Sequence, residues 1–147
     1  MPSLAMDDPD FGRIQFDAIG ESEFGMWQMD DDWEIPEAWA KVACCSIPGD
    51  KSGPYPEARS FLISKRHSLN DVWRIVELHL EAMRAKWRPD TGSTPLTEVF
   101  YLSALSMDHP FTSPPTWEVS FEPRDGFWIF ASFQFQGDTF IDSSCDT

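Results

Sequence analysis

The amino-acid sequence predicts an α+β fold: an antiparallel twisted sheet with one long and one short helix packed on one face. Three observations carry this. Segments of alternating apolar and polar residues lie before residue 50 and after residue 95, a single long stripe at helical spacing lies between them, and the last third holds a strongly patterned hairpin.

That hairpin runs from Trp117 to Phe135. Trp117, Val119 and Phe121 alternate with Glu118, Ser120 and Glu122, the period of a half-buried strand. After Pro123-Arg124-Asp125-Gly126, a turn by composition, Phe127, Ile129, Ala131, Phe133 and Phe135 share one face. The helix is read over Leu69–Trp87: Val72, Val76, Leu80 and Met83 step by three and four, Ser68 with Asp71 forms a capping-box-like pair, and Pro89 stops the run.

The other elements follow in order. Residues 1–10 read as a loose acidic leader. Residues 11–19 and 23–29 form a hairpin with Ile14 and Phe16 on the apolar side, and 39–47 is a strand. The Pro- and Gly-rich stretch 48–56 is a loop, and 57–66 is a short helix behind Pro56. Residues 96–107 make one strand, 139–142 a short edge strand, and 143–147 a frayed tail. The chain, 1–147, is expected to be a single α+β domain, since its length suits one core.

Composition narrows the function. Twenty-five acidic against eleven basic residues give a formal charge of −14, which repels nucleic acid and anionic membranes and attracts basic surfaces. Residues 1–37 hold eleven acids and one base, Arg13, so most of the imbalance lies early in the chain. No signal peptide is visible, and Cys44, Cys45 and Cys145 suit reduced thiols, so a cytoplasmic location is expected.

No catalytic constellation emerges. His67, His79 and His109 fall in separate segments, and Cys44 and Cys45 read as small strand residues rather than activated thiols. Asp30, Asp32 and Glu34 superficially match a calcium loop, but Ile35 stands where the turn glycine belongs and Lys41 where the bidentate acid belongs. The reading is therefore no enzyme, no metal and no cofactor. The candidate partner-binding residues are Asp30, Asp31, Asp32, Trp33, Glu34, Glu37 and Trp39: carboxylates to attract a basic surface, tryptophans to fill pockets on it. The alternative is a solvated loop whose tryptophans turn inward.

Phe11-Gly12, Phe16-Asp17, Trp27, Pro56 ahead of Phe61-Leu62, and Trp117-Glu118 together give a layout that resembles small immunity-type proteins of bacterial polymorphic toxin and contact-inhibition systems. The matches are one or two residues long, spread over most of the chain. The resemblance implies an α+β domain without catalytic residues that neutralises a cognate toxin by stoichiometric binding. Joined with the charge, it implies a basic protein toxin, of which a nuclease is one kind. Two other readings stay open: a small hydrolase or transferase using a histidine and a carboxylate, and a structural adaptor or homo-oligomer.

Overall fold

The computed structural model describes residues 4–35, 39–108 and 114–146. The strands are β1 (Ala5–Asp8), β2 (Gly12–Ala18), β3 (Phe24–Met29), β4 (Trp33–Glu34), β5 (Lys41–Val42), β6 (Cys45–Asp50), β7 (Gly53–Pro54), β8 (Phe100–Met107), β9 (Thr116–Pro123), β10 (Phe130–Gln136) and β11 (Thr139–Asp146). The helices are α1 (Pro56–Lys65), α2 (Asn70–Trp87) and α3 (Leu96–Val99), with a 3-10 turn at Pro89–Thr91.

Among the described residues, nine strands form one sheet in the order β1-β2-β3-β6-β8-β9-β10-β11, with β7 beside β6; β4 and β5 make a separate ribbon. Every pairing is antiparallel except β6 with β8, which run parallel through Cys45↔Leu105 and Ser46↔Ser106. That exception follows from connectivity. The helices cross between β6 and β8, and a crossover returns the chain in the same direction. Two antiparallel halves thus meet at one short parallel seam. In the first half, Gly25 and Gly49 are cross-strand neighbours, and a Cβ on Gly49 would strike the Gly53 carbonyl and the Trp27 ring.

The registers assign the faces. Cys45, Leu105, Val119 and Phe133 lie in one transverse row and all are buried. Phe61 of α1 packs edge-on to Trp117 at 6.0 Å, Trp73 of α2 on Phe121 at 6.3 Å, and His79 of α2 on Phe133 at 5.9 Å, so both helices cover this face. The α2 stripe predicted from the sequence is buried at Val72, Val76 and Leu80, and Met83 is partly buried.

Several local expectations change. The 1–10 segment contains edge strand β1, because Asp8 turns inward and its carboxylate takes two hydrogen bonds from Arg59 of α1, each 2.9 Å. The expected 96–107 strand opens with α3, since Pro95 accepts the Glu98 and Val99 N–H groups and closes a helical turn. The 39–47 strand breaks into β5 and β6 at Ala43-Cys44. β6 then runs on through Pro48-Gly49-Asp50 and turns back as β7 where a loop was expected. The edge strand expected at 139–142 continues through residue 146, so 143–146 pair rather than fray. The capping box is absent: Ser68 Oγ donates to the Ser64 carbonyl, and Asp71 pairs with Arg74. Phe127 and Trp128 lie in the β9–β10 connection rather than in β10.

Candidate functional site

The predicted partner segment departs from expectation at its tryptophans. Trp33 and Trp39 are each 4% exposed. Trp33 sits 5.1 Å from Phe11, donates its indole N–H to the Asp10 carbonyl at 3.1 Å, and lies under the Arg66 guanidinium. Trp39 packs on Phe121 at 4.7 Å and beside Trp73 at 6.5 Å. Both rings fill the space between sheet and helices, because the β4–β5 ribbon folds onto the helix side; neither is presented to a partner. Ala40, beside Trp39, adopts φ +62°, a left-handed backbone that any residue with a Cβ resists.

The carboxylates of the segment are exposed, but two already have bases. Asp30 takes Gln15 Nε2 at 2.9 Å and lies 3.7 Å from Arg13, and Asp32 meets Lys41 at 2.8 Å. Asp31 and Glu34 make no side-chain ion pair among the described residues. Glu37 lies outside the described residues, as does His109.

The remaining catalytic candidates do not converge. His67 is exposed on the chain between α1 and α2, while His79 is stacked on Phe140 at 4.9 Å on the sheet. Cys45 is fully buried, which holds its thiol well above the ordinary range, and the neighbouring Cys44 adds to the effect. Among the described residues, no three His, Cys, Asp or Glu side chains group to hold a metal ion. Among the described residues, no helix is long and apolar enough to cross a membrane.

The face of the sheet opposite the helices is the surface that periodicity alone did not single out. Gln15, Gln28, Ser46, Ser106, Glu118, Gln134 and Asp142 are register partners in sequence from β2 to β11, one polar residue per strand. Beside them, Ala104, Ser120, Ser132 and Ser144 form a second row of small residues. Asp30 joins this face through Gln15. The hydroxyls tie the surface together: Ser103 donates to the Ser120 carbonyl at 3.1 Å, and Ser120 lies 3.3 Å from Glu118 and 3.4 Å from Ser132. Asp108, at the end of β8, is raised above the usual carboxylate range by burial, and the Gln134 amide offsets only part of that.

Glu118, Ser132, Gln134, Asp142, Ser143 and Ser144 line a pit of about 70 Å³ in this face. A larger groove of about 470 Å³ lies on the outer side of α2, lined by Arg74, Glu77, Leu78, Glu81 and Leu96, with charges of both signs. Trp128, 59% exposed, stands apart from both, packed against Trp87 and Phe127.

Charge is divided by layer. Residues 56–99, the helical crossover, carry seven bases and six acids, whereas the rest of the chain carries four bases and nineteen acids. Residues 100–146 alone hold seven acids against Arg124. Among the described residues, no Lys or Arg forms an ion pair with Asp108, Glu118, Glu122 or Asp142, while Arg59, Arg74, Arg84 and Arg88 are spent on neighbouring acids.

Compared with family models, curated proteins and solved structures, the chain finds no match in any of the three.

Proposed function

We propose that this chain is a non-catalytic acidic binding protein that neutralises a basic partner by stoichiometric docking, acting in the cytoplasm as an immunity protein does against its toxin. One observation supports it above the others: the excess acid belongs to the sheet and its adjoining loops, while the helical layer is close to neutral. A field of that shape orients a basic partner toward one side of the molecule and speeds encounter. Asp30 borders that side through Gln15 and takes part through charge, whereas Glu34 goes with the ribbon toward the helix side, where its carbonyl accepts from Arg66. Trp33 and Trp39 contribute by holding the ribbon. The hydrolase reading has less to rest on, because no carboxylate lies within hydrogen-bonding distance of His67 or His79 among the described residues.

The test is to search the neighbourhood of the gene for a toxin-like open reading frame and to co-express the two. The expected result is restored growth and a complex of defined stoichiometry by light scattering, both retained in His67→Ala and Cys44→Ser variants. Killing that proceeds equally with and without the chain would overturn the reading, as would protection lost in a folded His67→Ala protein that still binds.

A further inference from the structure

We infer that the open face of β8–β11 is the docking surface, and that it takes an arginine-bearing surface of a basic protein, with a guanidinium seated in the pit between Glu118, Gln134 and Asp142. The inference rests on the reading above and deepens it by naming the face and the chemistry that fits it.

Three features lead to this choice. No helix among the described residues covers the face: the helices occupy the other side, and the row from Ser106 to Asp142 is polar on every strand. Its relief is low, since Ala104, Ser120, Ser132 and Ser144 leave a shallow trench beside taller side chains. Its charge has one sign, with no base paired to Glu118, Glu122 or Asp142 among the described residues.

The register decides between arginine and lysine. Glu118 and Asp142 flank Gln134 on adjacent strands, so their backbones stand about 10 Å apart at ordinary strand spacing. A planar fork with five N–H donors can reach a carboxylate on each side and the Gln134 carbonyl oxygen between them. An ammonium, a point charge with three donors, satisfies fewer of these acceptors at once. Serine hydroxyls at the floor accept any donor left over. The trench is too polar to attract an amphipathic helix by its apolar face, and the α2 groove, with mixed charges, offers a basic partner no comparable preference.

The probe is octa-arginine, titrated at about 50 mM salt into the whole chain while backbone amide shifts are followed by NMR. Expected are shifts concentrated on β8–β11, affinity several-fold above octa-lysine, and at least a tenfold loss in a Glu118→Gln/Asp142→Asn variant. An Asp31→Asn/Asp32→Asn variant should lose less than twofold. Ser132→Phe, which fills the trench without changing charge, should also weaken binding tenfold; unchanged affinity there would mean a diffuse field and would overturn the seat. Shifts centred on residues 30–34, or equal losses in the two charge variants, would overturn the choice of face. Growth protection tests the reading without reference to any face, and the peptide tests the face without any toxin, so failure of one leaves the other standing.

Discussion

Asp30 to Glu34 packs four carboxylates into five residues and is the densest acidic run in the chain. In the folded protein two of the four already meet bases: Arg13 lies beside Asp30, which also takes the Gln15 amide, and Lys41 pairs with Asp32. The open face of β8–β11 gathers its acids from two strands, β9 and β11, and from the end of β8, none adjacent in sequence, and meets them with hydroxyls and amides. A partner approaching the loop must compete with cations already in place, whereas a partner approaching the face supplies the first. Density along the chain is therefore a poor measure of unspent charge in space.

The strongest challenge to this contrast is Trp33→Ala. A core side chain should cost about 3–5 kcal/mol on removal, read by equilibrium denaturation. A loss below about 0.5 kcal/mol would restore Trp33 as a surface anchor and the loop as the docking site. Next, Leu80→Ala should cost about 2–5 kcal/mol while Ser132→Ala stays within about 0.5 kcal/mol. Similar losses would mean that the two faces of the sheet are equally covered.

Asp8 and Asp108 sharpen the contrast by pH. Burial works to raise the Asp8 carboxyl, but the Arg59 guanidinium and the N–H groups of Asp10 and Phe11 outweigh it, leaving Asp8 below its ordinary value. Its contribution is thus present above the unfolded carboxylate range and is lost as pH falls through the lowered folded value. Asp108 is raised, so its effect has the opposite sign: stability is lost as pH climbs from the unfolded value through the raised one. Denaturation of Asp8→Asn should show a loss of about 2 kcal/mol at pH 7, below that of a fully buried pair because Arg59 keeps some contact with water, and a flatter acid limb. Asp108→Asn should flatten the curve on the other side. A steeper acid limb in Asp8→Asn would contradict the assignment.

The smallest effect belongs to the loop. Replacing Asp30, Asp31 and Asp32 together by Asn should change stability by no more than about 1 kcal/mol, since exposed pairs contribute little. It should slow association with a basic partner less than Glu118→Gln/Asp142→Asn does. The reverse order of association rates would make the loop the principal surface.

Much of the fold was legible because it rests on local pattern: the α2 stripe and the alternation in β2, β9 and β10 reflect one buried face each. What escaped depends on contacts between distant residues. The inward turn of Asp8 needs Arg59, 51 positions away, and the burial of Trp39 needs Phe121 and Trp73. The helical turn at Leu96 was hidden by a sequence that alternates well enough for a strand, with only Pro95 to mark its start. The acidic run was visible at once, but not that Arg13 and Lys41 would fold back onto it. The open face was invisible for a simpler reason. Its row is assembled from seven strands, and Glu118 or Gln134 alone looks like any outward-facing strand residue.

The parallel seam between β6 and β8 bears on how the chain folds. The strands on either side are joined by tight or moderate connections and can pair early, whereas Cys45 meets Leu105 only after the entire helical crossover has closed. Closing a loop of that length carries an entropic cost of about 4 kcal/mol, set against only two register pairs. Such non-local pairing slows folding, and we expect the seam to be the last part of the sheet to assemble. Pulsed amide exchange during refolding should therefore protect the amides that pair β9 with β10 and β10 with β11 before the seam amide of Leu105, which donates to the Cys44 carbonyl. Protection at the seam in the earliest phase would show instead that the crossover collapses first and the two half-sheets form around it.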